Sequence, residues 1–457
     1  MNDNQELLVT INKTKAKLET QKNLFIKTFG CQMNNYDSDK LEKILESQYN
    51  RIDNPEKADL ILVNTCSVRD KPEQKLYSLL GEYREIKKIN PSLMIGVGGC
   101  VAQQEGDNII KRSRDVDFVF GTHNLSLVPS LIKQRHSLGK PQVAVNYRDE
   151  WEDLPLGLSD KSRVSVFVSI SRGCNKNCAY CIVPTTRGRE VSRDINEILK
   201  EVKISVHRGA KEIVLLGQTV NSYGLDLNPK IKFVELMRQV GEVEGVERIR
   251  FTSPHPQEVR ADFYDLVASN PKVCRHIHMP LQAGSDRILK AMNRNYRKKR
   301  YLDIIEGLKT RVPDISITTD IIVGFPGETE EDFQETLEVM KIVEFDSSYS
   351  FMFSPRPGTK AEFMEGQLSK EVMLDRLQRL QALQQEITDL NLAKWVNKET
   401  EVLIDGPSSF DPTKLQGRNS QNILVNFTHP TPELEPGQIV NVKITGTSKY
   451  TLKGEVF

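Results

Sequence analysis

Uninterrupted apolar runs in this 457-residue chain are only a few residues long, among them ILV at 61 to 63 and IVLL at 213 to 216, while 27% of the residues are charged. A membrane-spanning helix needs about 20 consecutive apolar residues, so none is expected. Met1 to Lys22 is polar and lysine-rich where a secretory signal would be apolar, and the expected location is the cytoplasm. An apolar content of 38% excludes a wholly disordered chain. A surplus of either charge is missing too. With 63 Lys and Arg against 62 Asp and Glu, any nucleic-acid partner has to be argued from local patches. The GFPGE segment lacks the lysine and the spacing of a phosphate-binding loop, which argues against nucleoside-triphosphate binding, and no tandem repeat is present. Cysteine is scarce. Seven thiols without a secretory signal read as metal ligands or reactive groups rather than as a disulfide framework.

What is there falls into blocks. The length suggests about three compact units, at about 150 residues each. After a polar tail (1–22), β-rich runs NLFIKTFG, ADLILVNT, SLMIGVGG and DVDFVFGT alternate with helical patterns, which predicts an open parallel α/β sheet in a domain over 23–138. A polar stretch containing DEWEDLP and broken by Pro and Gly reads as a linker over 139–162. Six further β-rich runs follow, at 163–170, 212–217, 248–253, 276–280, 315–324 and 347–353, mostly separated by helical stretches. They predict a partial or full β/α barrel. Apolar residues at Met373, Leu377, Leu380, Ile387 and Leu390 predict one long amphipathic helix packed on that barrel and closing a domain over 163–395. From 396 to 457, short alternating strands punctuated by Gly and Pro predict a small all-β appendix.

Three cysteines, Cys174, Cys178 and Cys181, share the loop after the first barrel strand in a C-x3-C-x2-C spacing. A structural zinc site wants four ligands, and no fourth Cys or His lies nearby in sequence. Three thiolates on a 4Fe-4S cluster leave one iron open to a reactive ligand, and barrel enzymes place their chemistry at this end of the strands. A second triplet is dispersed: Cys31, Cys66 and Cys100 close the first, second and third runs of the N-terminal block, about one βαβ period apart. Parallel strands point the same way, so these thiols should gather on one rim, where open α/β sheets bind ligands. Each alone could be a core cysteine; together they suggest a second three-ligand cluster. Cys274 reads as core, and His276 and His278, on one side of the fourth strand, read as structural histidines.

The loop GCNKNCAYCIVPTTRGREVSR resembles the radical S-adenosylmethionine superfamily. The added dispersed triplet resembles its methylthiotransferases, whose order is a cluster domain, a radical barrel and a small RNA-binding TRAM barrel. The resemblance covers residues 23 to 457. TFGCQMNNYDS, VNTCSVRDKPEQK, LLGQTVNSYG, MPLQAGSDRILKAMNR, DIIVGFPGET, SPRPGTKA and GRNSQNILVNF look most like the bacterial branch that acts on N6-isopentenyladenosine in tRNA. It implies two 4Fe-4S clusters and S-adenosylmethionine as cofactors, with Cys31, Cys66, Cys100, Cys174, Cys178 and Cys181 as iron ligands. The implied reaction replaces the C2–H of a prenylated adenosine beside the anticodon by a methylthio group, through radical C–H activation, sulfur insertion and methyl transfer. An electron donor such as flavodoxin or ferredoxin, and a monomeric enzyme, are expected with it.

The resemblance also implies that Tyr180 contacts the cofactor's adenine, packing beneath the loop being the alternative. Gly217 and Gln218 stand where relatives often carry Gly-Gly-Glu around the methionyl amine, a departure from that acidic pattern. Ser253, and Gly324 with Phe325, stand at strand ends suited to ribose and adenine contacts. The basic stretch AMNRNYRKKRY, with Arg294, Arg297, Lys298, Lys299 and Arg300 around Tyr296, could hold phosphates and stack a base, or could be a solvated helix face. In the appendix the candidate RNA contacts are Arg418, Lys443, Lys449 and Lys453. The alternatives are methylthiolation of N6-threonylcarbamoyladenosine in tRNA or of a ribosomal-protein aspartate, and a non-catalytic RNA-binding iron–sulfur scaffold.

Overall fold

Apolar runs of four to eight residues between turn signals become strands here, and the longer amphipathic patterns between them become crossover helices. The computed structural model describes residues 21–67, 72–157, 163–409, 411–428 and 433–456. All but the end of the polar tail at 1–22 lies outside the described residues, and Lys22 already opens the first strand. Contacts divide the chain into two units, Met1–Lys161 with Thr185–Arg189, and Ser162–Pro184 with Glu190–Phe457.

In the first unit, β1 (Lys22–Thr28), α1 (Gln32–Leu45), β2 (Tyr49–Arg51), β3 (Leu60–Thr65), α2 (Pro72–Ile89), β4 (Met94–Gly99), α3 (Cys100–Glu105), α4 (Asp107–Arg112), β5 (Phe118–Phe120), α5 (Val128–Leu138) and β6 (Gln142–Ala144) follow in order. The strands form one parallel sheet ordered β2-β1-β3-β4-β5-β6. Every residue of the central β3 and β4 is buried, because helices cover both faces. Leu24, Leu41, Leu62 and Phe120 fill one side and Ile61, Val63, Leu76 and Ile95 the other. The linker expected over 139–162 needs correction at its start. Gln142–Ala144 is a sheet strand whose partner is β5, and three residues were too short to register as a period-two pattern. Residues 158–162 of that stretch lie outside the described residues.

The second unit starts with β7 (Ser165–Ser169) and a small antiparallel pair, β8 (Ser171–Arg172) with β9 (Val191–Ser192). Between these two strands lies α6 (Val183–Arg187), whose last three residues count with the first unit. Then come α7 (Ile195–His207), β10 (Glu212–Leu216), α8 (Phe233–Glu242), β11 (Arg248–Phe251), α9 (Ala261–Ser269), β12 (His276–His278), α10 (Asp286–Ala291), α11 (Lys298–Arg311), β13 (Ser316–Val323), α12 (Glu330–Val343) and β14 (Ser347–Met352). Two parallel three-stranded sheets, β7-β10-β11 and β12-β13-β14, meet through a parallel bridge between Ile249 and Val273. This is an open β/α barrel of six strands. Register puts His278, Thr318, Asp320, Tyr349 and Phe351 on one sheet face, while Ile277, Ile317, Ile321 and Val323 on the other are buried.

The long helix α13 (Lys370–Ala393) forms as expected, but its buried face differs from the apolar stripe read from sequence. Leu390 is 67% exposed, whereas Arg376, Gln384 and Thr388 are buried. The reason is polar pairing: Gln384 donates to the Phe345 carbonyl at 2.7 Å and Thr388 to the Asp346 carbonyl at 2.8 Å, supporting the start of β14.

Beyond α13, β15 (Glu399–Pro407), β16 (Leu415–Asn419), β17 (Leu424–Thr428), β18 (Ile439–Ser448) and β19 (Thr451–Val456) close into a barrel around Val402, Ile404, Val425, Phe427, Val442 and Leu452. Two buried arginines of β11 fix it to the larger barrel. Arg250 donates to the carbonyls of Asn419 (2.7 Å) and Ser420 (3.0 Å), and Arg248 to that of Arg418 (2.6 Å). Glu212 holds Arg250 from behind at 2.7 Å.

The buried pair Arg376–Glu328, at 2.7 Å, offers a stability test, because Glu328 also accepts the Gly324 N–H at 2.7 Å. Arg376→Met should cost about 3 kcal/mol in urea unfolding by stranding a buried carboxylate, and adding Glu328→Gln should recover most of the loss. An unchanged urea midpoint in Arg376→Met would contradict this.

Candidate active site

Because β1, β3 and β4 are neighbours in a parallel sheet, their carboxyl ends share one edge. Cys31 lies just beyond β1 at the N-cap of α1, Cys66 directly follows β3, and Cys100 follows β4 as the first residue of α3. None of the three is in a disulfide. Two glycines permit the approach. Gly30 has φ +107° and a Cβ there would collide with the Cys66 side chain; Gly99 has φ +90° and a Cβ there would strike the Thr65 backbone. Asn34 staples the edge, donating to the carbonyls of Phe29 at 2.7 Å and Thr65 at 2.8 Å. A hydrogen bond with Cys66, aided by the charge of Arg187, pulls the Cys31 thiol down to about 6 against the opposing effect of burial. Arg187 itself is buried and donates to Asn34 Oδ1 at 2.9 Å and Asp37 Oδ2 at 2.8 Å.

In the second unit, Cys174, Cys178 and Cys181 lie beyond the carboxyl end of β7 and are also outside any disulfide. The loop is pinned from several sides: Ala179 N–H donates to the Met292 carbonyl at 2.9 Å, Ala361 N–H to the Ala179 carbonyl at 2.9 Å, and Asn293 to the Asn177 carbonyl at 2.6 Å. The Cys174 sulfur stands 3.5 Å from Thr219 Oγ1. Arg294 donates to the Cys178 sulfur at 3.4 Å. Burial pushes the Cys181 thiol up to about 12 and raises that of Cys174. Nearby, the Gln218 Oε1 and Ser171 Oγ atoms are buried without a hydrogen-bond partner, as expected of polar groups kept for a ligand. Among the described residues no three His, Cys, Asp or Glu side chains converge as the ligands of a single ion do. An iron–sulfur cube, in which each thiolate holds a different iron, sets a different demand.

Comparison with known proteins gives this geometry a lineage. The chain is 46% identical to the tRNA-2-methylthio-N(6)-dimethylallyladenosine synthase of Herminiimonas arsenicoxydans, over 95% of this chain and 99% of that protein. It is 45% identical to the synthase of the same name from Clostridium tetani, over 94% and 95% of the two chains. The chain belongs to this synthase family. Family models agree block by block: the uncharacterized protein family UPF0004 matches residues 23–121, the radical SAM superfamily 168–340, and the TRAM domain 393–457.

Among solved structures, the radical S-adenosylmethionine methyltransferase TsrM from Kitasatospora setae, with cobalamin and a [4Fe-4S] cluster bound, shares the fold. Its TM-score is 0.53 at 14% identity, over 75% of this chain and 74% of that one. S-adenosylmethionine and 4Fe-4S clusters are the cofactors that family membership brings. The two sets of three cysteines outside any disulfide, and the unpartnered Gln218 and Ser171 oxygens, fit those groups.

The remaining residues singled out in the synthase sequence divide. Tyr180 is half-buried with its ring edge-on to Phe325 at 6.5 Å between centroids. Ser253 follows β11 in the left-handed region at φ +52°. Gly324 sits under Met373, where a Cβ would not fit, and its N–H is taken by Glu328, so close packing accounts for this glycine. His276 and His278 each lie 3.0 Å from Thr318 Oγ1, and Cys274 is buried.

Arg294 needs correction as an RNA contact. It is buried and serves Cys178, the Tyr296 hydroxyl and the Pro280 carbonyl, and Tyr296 is buried beside it. A basic run shows charge but not which way each side chain turns. Arg297 remains exposed, and Lys298 pairs with Glu335. Arg418 is exposed but donates to the Asn422 carbonyl at 2.9 Å. Sequence reading missed Arg187, whose only trace is the TTRGR run after Cys181, and the exposed Tyr349 and Phe351 of β14.

The thiolate is the form that alkylates, so metal-free reduced protein should label unevenly. Iodoacetamide followed by peptide mass spectrometry should show Cys31 reacting with a half-maximal rate near pH 6. Cys181 should react far more slowly than Cys31 at about pH 7. Equal rates at the two positions would contradict the opposed environments.

Proposed function

We propose that this chain methylthiolates C2 of N6-dimethylallyladenosine in tRNA, with Cys174, Cys178 and Cys181 holding one 4Fe-4S cluster and Cys31, Cys66 and Cys100 a second. The observation that carries the reading is the pair of three-cysteine sets, each outside any disulfide and each at the carboxyl ends of parallel strands, in a chain of this family. S-adenosylmethionine supplies the hydrogen-abstracting radical and the methyl group, and the second cluster supplies the sulfur. The chain's own residues bind and orient. Gln218, Ser171, Gly217, Ser253 and Tyr180 line the cofactor's place at the strand ends. The domain reading over 23–138, 163–395 and 396–457 goes with this function, the first domain extended to take in the strand at Gln142–Ala144. So do reduction by a flavodoxin or ferredoxin, a monomeric state and a cytoplasmic location. No helix among the described residues is long and apolar enough to cross a membrane.

The substrate base needs a surface that the cofactor does not occupy. Tyr349 and Phe351 share a face with His278, whose ring lies 5.8 Å from that of Tyr349 and whose Nε2 is 3.2 Å from Asp320. At 60% and 44% exposed, the two aromatics offer a platform for the adenine and an apolar wall for its dimethylallyl group. Arg297, Lys298 and Arg418, with the exposed Lys443, Lys449 and Lys453, are the candidate phosphate contacts.

Two results test the proposal. Changing Cys31, Cys66 and Cys100 together to Ala should abolish methylthio product while S-adenosylmethionine is still cleaved to 5′-deoxyadenosine, with circular dichroism confirming the fold. Unimpaired methylthiolation in that variant would overturn the division of roles. Tyr349→Ala should raise KM for prenylated tRNA about tenfold, the loss of one stacking contact, and leave tRNA-independent cofactor cleavage unchanged. A normal KM would remove Tyr349 from the substrate platform.

A further inference from the structure

Arg187 lies six residues after Cys181 in sequence, yet it counts with the first unit and is buried to 5% exposure there. Its guanidinium is fixed by two acceptors, Asn34 Oδ1 at 2.9 Å and Asp37 Oδ2 at 2.8 Å. Asn34 is the side chain that ties the ends of β1 and β3 together, through the Phe29 and Thr65 carbonyls, and its Oδ1 also stands 3.9 Å from the Cys31 sulfur. A buried cation is costly unless paired, and this one is paired with a single carboxylate. The balance at the Cys31 sulfur is positive. The pull of Arg187 on Cys31 exceeds the opposing push of Asp37, and Asp37 first, then Cys100 and Cys31, hold Arg187 in its charged form against the effect of burial.

We infer that Arg187 is a positioning residue for the dispersed cluster, a fixed positive charge that favours the cluster's reduced, more negative state and the retention of sulfide on its open iron. The inference rests on the reading that Cys31, Cys66 and Cys100 hold a cluster. Three thiolates and a sulfide carry more negative charge than the iron–sulfur core offsets, and each added electron deepens the excess, so a nearby buried cation raises the reduction potential. Arginine suits this task because it stays charged at any working pH and its planar fork can be locked by two acceptors at once. A structural clamp would need only the hydrogen bonds. A charge-setting residue must move the potential.

The test uses the full chain with Cys174, Cys178 and Cys181 changed to Ala, so that only the dispersed cluster assembles, reduced by dithionite in an EPR-monitored titration. Arg187→Met should shift the midpoint to more negative potential. That variant also removes the cation paired with the buried Asp37 carboxylate, so the decisive comparison is Asp37→Asn against Asp37→Asn with Arg187→Met. This pair differs by the one cation and has no carboxylate at position 37. The double variant should sit at more negative potential than the single one, with the same iron content, and should lose added sulfide faster on desalting. Equal potentials in the two loaded variants would overturn the role of Arg187 while leaving the cluster in place. A parent protein that binds no iron would overturn the cluster reading, and the inference with it.

Discussion

The hydrogen-bonded register of three neighbouring parallel strands, β1, β3 and β4, is the constraint on which the first unit's chemistry depends. Parallel strands joined by crossover helices all finish at one edge, so residues some 35 apart in sequence are delivered side by side without any local loop joining them. The edge must then be tight enough for sulfurs on separate strands to act together. Gly30 and Gly99, both at positive φ, remove the Cβ atoms that would hold the strand ends apart, and Asn34 closes the gap with hydrogen bonds to two of them.

The barrel obeys the same rule by a different route. Here one strand, β7, delivers a single loop with all its cysteines, and the precision comes from clamps around that loop, among them Met292, Ala361 and Asn293. Burial makes Cys181 a poor thiolate by itself, and Arg294, bonded to Cys178, supplies a compensating charge. Both thiol sets thus have a buried arginine beside them. Ordinary solvent-facing arginines could not do this, since water would screen them.

Much of this was legible in the amino-acid order. Strand runs, their alternation with helices and the two cysteine spacings are properties of period and position, which sequence carries directly. The failures have a common physical cause. Arg294, Arg376, Gln384 and Thr388 are polar residues whose buried partners come from distant elements, so nothing in their own neighbourhood says that they turn inward. Leu390 is the converse, an apolar residue on the expected stripe that faces outward because backbone carbonyls near the start of β14 claim the adjacent polar side chains instead. Arg187 is the extreme of the first kind, since it belongs by sequence to the loop region of one unit and counts by contact with the other.

The central claim is chemical, that this chain adds a methylthio group to a prenylated adenosine of tRNA. Nucleoside mass spectrometry of total tRNA from a strain lacking the gene tests it directly. The account predicts that 2-methylthio-N6-dimethylallyladenosine disappears, that N6-dimethylallyladenosine accumulates in its place, and that the intact chain restores the first at the expense of the second. Unchanged 2-methylthio-N6-dimethylallyladenosine in the deletion strain would contradict it.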